Sequence, residues 1–192
     1  MKQLNQNLKI FGLNETIVDF WAWAYSDILS NRNRSVFAEF LVGSALNALI
    51  KPRVEYNCVD ICYDDKTIEV KCSAYVQSWP QDKHSIIKYG IGKKKVDVGS
   101  EYIPKDIQEP GRFADCYVFC LFNSKEKNKE KANMNILDIS FWEFYVVLTS
   151  EINKKFENKE SISLSSLQEI SESVKYSELK ACIDSKLGSI KN

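Results

Sequence analysis

A single histidine, His84, stands in this chain of 192 residues. A serine-hydrolase triad or a histidine-built metal site would have to rest on that one side chain, in a lysine-rich loop, which argues against both. Glycine is scarce as well, at seven residues, and there is neither a Gly-rich phosphate loop nor an internal repeat. No apolar run reaches the roughly 18 residues that a membrane helix needs. The opening residues, M-K-Q-L-N-Q-N-L-K, lack the apolar stretch of a signal peptide. These absences lead to the expectation of a cytoplasmic protein with no membrane partner.

Net charge is also missing, with 26 basic residues balancing 26 acidic ones. That counts against strong non-specific DNA binding but leaves room for a local basic groove. The six cysteines contain no C-x2-C pair, so a zinc site has little support. Cys58 and Cys62 read as one face of one strand, as do Cys116 and Cys120. Cys72 falls in another strand and Cys182 in the last helix. They are expected as small buried hydrophobes in a reducing compartment, not as three disulfides.

What is present fits one domain over residues 1–192, with 44% hydrophobic and 27% charged residues and enough length for a sizeable core. Thr16 and Asp19 form a capping pair for a first helix over 16–30, with Val18, Trp21, Ala22, Tyr25 and Leu29 as its apolar stripe. Asn31 to Arg34 read as a break. A second helix, Ser35 to Ile50, is apolar or small nearly all round, so it is expected to be buried on more than one side. Glu39 is its only charge, and Gly43, one turn later, is expected to leave room above that carboxylate. Pro52 ends the helix.

Further on, Ser85 to Ile91 reads as a strand and Lys93, Lys94 and Lys95 as a short basic run. Glu101 to Gly111 reads as a loop, C-Y-V-F-C-L-F as a strand buried on both faces, and Asn123 to Asn135 as a flexible charged loop. Phe141 to Leu148 is a further apolar strand. Glu151 to Glu160 is a polar connector, and one or two helices follow over 163–187. The order predicts an α/β (mixed α+β) domain, a mixed central sheet flanked by helices, with its core at about residues 34–148.

The most informative stretch is Val59 to Trp79, V-D-I-C-Y-D-D-K-T-I-E-V-K-C-S-A-Y-V-Q-S-W. It reads as the end of a strand over Val54–Tyr63, a turn at Asp64–Lys66, and a strand over Thr67–Tyr75. Alternation places Ile68, Val70 and Cys72 toward the core and Glu69, Lys71 and Ser73 on the other face. Asp60 is a lone acid in an apolar and aromatic run. Unpaired charge in such surroundings is costly, so an ion pair or a metal must compensate it.

At these residues the chain resembles the PD-(D/E)xK nuclease superfamily, the restriction-endonuclease-like fold. Asp60 matches the first acid, Glu69-Val70-Lys71 the E-x-K, Gln77 the trailing Gln, and Glu39 the acid on the preceding helix. Val59, not Pro, precedes Asp60. The likeness covers roughly residues 34 to 122. It implies Mg2+ held by Asp60, Glu69 and the Val70 carbonyl, with Mn2+ able to substitute. It further implies that Lys71 orients water or offsets phosphate charge, that Glu39 reaches the metal through water or a second ion, and that Gln77 orients Lys71 or touches the phosphate.

Phosphodiester hydrolysis needs an activated water and relief of phosphate charge, and Mg2+ supplies both. The reading is therefore a Mg2+-dependent DNA endonuclease of restriction or repair type. Lys93, Lys94, Lys95, Arg34 and Arg112 are candidate phosphate contacts, each with a structural alternative: a solvated face, a helix start, and an ion pair of Arg112 with Asp115. Three other readings stand beside it. Glu69, Lys71 and Asp60 could form a plain cross-strand charge network. The chain could be a nuclease-fold nucleic-acid or protein binding module that no longer cuts. It could also act on RNA or a small nucleotide. Cutting both strands of a duplex commonly needs two sites, which makes a symmetric homodimer an expectation.

Overall fold

The computed structural model describes residues 2–55, 57–95 and 109–190. Its centre is a mixed four-stranded sheet. The strands are β1 (Ile61–Tyr63), β2 (Lys66–Ala74), β4 (Cys116–Phe122) and β5 (Trp142–Leu148), in the order β1-β2-β4-β5. β2 and β4 run parallel, with Glu69 opposite Tyr117, and the two outer pairings are antiparallel. A separate antiparallel pair joins β3 (Lys88–Gly90) to β6 (Ser161–Ser163).

All seven residues of β4 are buried, because both faces of the sheet are covered. On one face Ile68, Val70, Val118 and Phe144 pack with residues of α2 (Asn31–Ala45) and α6 (Tyr176–Gly188). On the other, Tyr117, Phe119 and Val147 pack with Tyr89 and Ile162 of β3 and β6, Ile152 of α4 (Thr149–Phe156) and Leu167 of α5 (Leu164–Gln168). Register places Glu69 and Lys71 on this second face, beside Tyr117 and Phe119. The expected mixed sheet flanked by helices is what forms, and the alternation along β2 holds. No helix among the described residues is long and apolar enough to cross a membrane.

The hairpin turn forms because Asp64 takes a left-handed backbone, φ 51°, which a short polar side chain tolerates. The strand before it is only three residues long, not the run from Val54 that the apolar pattern predicts. Asp60 therefore precedes β1 rather than sitting in it, although its N–H still donates to the Ile68 carbonyl at 3.1 Å.

Several other expectations are corrected. α1 (Ile17–Tyr25) is capped by Thr16, whose N–H donates to Asp19 at 2.7 Å, but it buries none of its residues. A periodic apolar stripe says which face would be buried, not that a partner lies against it. Trp23 is 84% exposed. Asn31 to Arg34 are no break: Ser30 accepts the Asn33 N–H at 3.3 Å and opens α2 there.

A Cβ at Gly43 would collide with Leu49, so that glycine makes room for the Leu49 side chain and not for the Glu39 carboxylate. The charged segment 123–135 contains α3 (Lys129–Asn135), capped by Asn128 and anchored through Ala132. The expected connector at 151–160 is mostly α4, with Ile152 wholly buried. Lysines and glutamates on the outer faces of both helices mask the few apolar anchors that hold them. Cys62 is exposed, against expectation. Most of the expected loop at 101–111 lies outside the described residues.

Candidate functional site

Glu69 is a buried charge among the described residues. It is a carboxylate only 2% exposed, in the middle of β2. Burying such a charge alone costs several kcal/mol. Two ammonium groups compensate it. Lys71 Nζ lies 2.5 Å from Oε1, reached along the same strand face. Lys94 Nζ lies 2.8 Å from the same carboxylate and also donates to the Cys58 carbonyl at 3.1 Å.

Asp60 approaches from the end of the neighbouring strand. Its Oδ2 accepts the Val70 N–H at 2.7 Å. A strand residue aims its N–H and C=O at the same edge, so the Val70 carbonyl faces the Asp60 side as well. The Asp60 carboxyl is pushed up to about 6. Burial is the main cause, followed by the negative charges of Glu69 and Glu39, while the Val70 N–H and Lys71 oppose the rise. Glu39, Asp60, Glu69 and Lys71 thus lie within one electrostatic neighbourhood.

Glu39 has its own partner. Arg53 clamps it through two hydrogen bonds, Nε to Oε2 at 2.5 Å and Nη2 to Oε1 at 2.9 Å. This bidentate pair joins the C-terminal side of α2 to its helical body. Tyr117 also borders the carboxylates: burial first, then Glu69, raises its phenol.

The other candidates lie elsewhere. Gln77 is 6% exposed. Its Oε1 accepts from Arg34 Nη2 at 3.1 Å, and its Nε2 donates to Ala74 O at 2.9 Å and Ser85 Oγ at 3.2 Å. Arg34 is itself buried, bonded to the Leu29 carbonyl at 2.6 Å and to Asn31. The two form a tie between α2 and the end of β2, not a phosphate contact.

Arg112 donates to the Ile91 carbonyl, to Asn153 and to the carbonyls of Phe156, Glu157 and Lys159. It caps the C-terminus of α4, a role that suits a cation, and Asp115 instead accepts from Thr67. A cavity of about 240 Å³ beside it is lined by Lys93, Gly111, Arg112, Asn153 and Glu157, and none of the carboxylates discussed above lines it. Lys93 and Lys95 are exposed.

Sequence reasoning missed Lys94 as a partner of Glu69, and missed Arg53 and Tyr117 altogether. The separations of 25 and 14 residues carry no local signal. The expected helix stop at Pro52 offered no guide either, because α2 already ends at Ala45.

A divalent cation is chemically suited to the Asp60 carboxylate, the Glu69 carboxylate and the Val70 carbonyl, since hard ions take oxygen ligands. The raised Asp60 pKa marks a place where more positive charge would be favourable. Geometrically, an ammonium must first leave Glu69. Among the described residues no group of three or more His, Cys, Asp or Glu side chains is arranged to hold a metal ion. No family model, curated protein or solved structure significantly matches this chain.

Proposed function

We propose that this chain is a divalent-cation-dependent nuclease that hydrolyses phosphodiester bonds, with DNA as its substrate. One observation carries the reading. Asp60 accepts the Val70 N–H within electrostatic reach of Glu69, Lys71 sits on Glu69, and burial, then the charges of Glu69 and Glu39, raises the proton affinity at Asp60. The order Asp60, Glu69-Val70-Lys71 with Glu39 behind it supports the same reading through its likeness to the PD-(D/E)xK superfamily.

In this reading Asp60, Glu69 and the Val70 carbonyl hold Mg2+, for which Mn2+ substitutes. The bound ion supplies Lewis acidity and an activated water. Asp60 is fixed for its part by the Val70 N–H. Lys71, released from sole pairing with Glu69, turns its ammonium to the attacking water or to charge building on the phosphate. Glu39, clamped by Arg53, lies close enough to Asp60 to raise its proton affinity. Unbridged Cys62, Cys72, Cys116, Cys120 and Cys182 support work in a reducing compartment such as the cytoplasm. A homodimer would bring two such sites to the two strands of a duplex.

A specific observation favours a second reading. Glu69 is held by two lysines and Glu39 by an arginine, the pattern of a closed charge network in a nuclease-fold binding module that does not cut. Incubation of plasmid DNA, linear duplex and RNA with Mg2+, Mn2+ or a chelator separates the two. The enzymatic reading expects cation-dependent cleavage of DNA that Asp60→Asn removes. Intact nucleic acid under every condition would leave the binding module standing.

A further inference from the structure

Glu69 has one ammonium more than its role as a cation ligand allows, and the two lysines that hold it are not equivalent. Lys71 sits two residues away on the same strand, on the face of Glu69, and the nuclease reading already gives its ammonium a task at the water or the phosphate. Lys94 arrives from 25 residues further on. Its side chain is 36% exposed, and among the described residues its ammonium also bonds to a main-chain carbonyl, that of Cys58. Its head therefore has a route into solvent that gives up the bonds to Glu69 and to that carbonyl.

Charge balance points the same way. Asp60 and Glu69 carry two negative charges and Lys71 and Lys94 two positive ones, while Glu39 and Arg53 neutralise each other. Adding a divalent ion to the closed set would leave two excess positive charges in a largely buried place. Departure of Lys94 from Glu69 lowers that excess to one, which a single phosphodiester neutralises.

We propose that Lys94 is a cation surrogate that exchanges sites. In the cation-free chain its ammonium holds the divalent ion's place on Glu69. On entry of the ion it swings out and takes a phosphate of the bound nucleic acid. The proposal rests on the nuclease reading of Asp60 and Glu69, and it adds a coupling between cation and nucleic-acid binding through one side chain.

Calorimetric titration of Mn2+ into protein without nucleic acid tests the first half. Lys94→Gln should bind Mn2+ about tenfold more tightly than the wild type, since the competing ammonium is gone. Lys94→Arg should bind several-fold more weakly, because a guanidinium grips a carboxylate through two hydrogen bonds. It carries the test if the glutamine variant does not fold, and unchanged or tighter binding by it would count against the exchange. Lys93→Gln, which does not touch Glu69, should match the wild type.

Fluorescence anisotropy with a labelled DNA duplex, in Ca2+ and in chelator, tests the second half. Ca2+ should tighten DNA binding by the wild type several-fold more than by Lys94→Gln. Equal Mn2+ affinity of wild type and Lys94→Gln overturns the exchange and leaves the nuclease reading intact. Equal Ca2+ enhancement in the two overturns the phosphate contact. Absence of Mn2+ binding in both proteins overturns the exchange and the nuclease reading together.

Discussion

Replacing Asp60 by Asn should stabilise the cation-free protein at neutral and alkaline pH. The Asp60 carboxyl is raised from 3.8 to about 6 in the fold. A carboxyl with a raised pKa binds its proton more tightly folded than unfolded, so stability falls as pH rises between those two values. Above about pH 7 the full cost is present, and a shift of about two units corresponds to roughly 3 kcal/mol. Asn removes the charge, and its side-chain oxygen still accepts the Val70 N–H. Part of the gain is lost with the stronger charged hydrogen bond and with the attraction to Lys71. The net gain expected at pH 8 is about 1–2 kcal/mol, which for a chain of this size raises Tm by roughly 2–8 °C. At pH 4 the two proteins should melt together. Urea unfolding in chelator, from pH 4 to 8, gives the difference directly, and Mn2+ should stabilise the wild type alone. A variant less stable than the wild type at pH 8 would refute the reasoning, because the Asp60 charge would then be stabilised by Lys71 and the Val70 N–H rather than penalised by burial, Glu69 and Glu39.

Lys71→Met should bind Mn2+ at least as tightly as the wild type by calorimetry while its cleavage rate falls on the order of 10²–10³, the size of a lost transition-state donor. A destabilised Lys71→Met with no metal binding in the wild type would assign the lysine to a charge network instead. Lys93 and Lys95 are exposed, and replacing both by Gln should reduce the slope of log affinity against log salt by about 2 if each meets a phosphate. An unchanged slope would place them on a solvated face. Arg112→Ala should lower stability by about 3–5 kcal/mol, because five bonds to α4 and its surroundings are lost from a buried cation. Its salt slope in DNA titrations should equal that of the wild type, and a reduced slope would return Arg112 to the phosphate contacts.

How much was legible in the sequence depended on the range of the interaction. Strands β2, β4 and β5 were readable because alternation, or unbroken apolarity, is written residue by residue. The same alternation put Glu69 and Lys71 on one face and Val70 on the other. The capping of α1 by Thr16 and Asp19 and the turn at Asp64 are likewise local chemistry. The helices α3 and α4 escaped because one or two anchors, Ala132 and Ile152, hold faces that are otherwise charged.

Only the tertiary structure decided which charges meet. Pairing of β2 with β4 covers Glu69 with a second core, turning an ordinary strand glutamate into a buried anion. Burial then makes partners obligatory, and the fold supplies Lys94 to Glu69 and Arg53 to Glu39 from distant segments. It also turns Arg34 and Gln77 toward each other and Arg112 into the end of α4, since a buried guanidinium takes the carbonyls within reach. Sequence thus determined which residue types share a strand face. The fold determined which of them are desolvated, and desolvation fixes each charge to its partner.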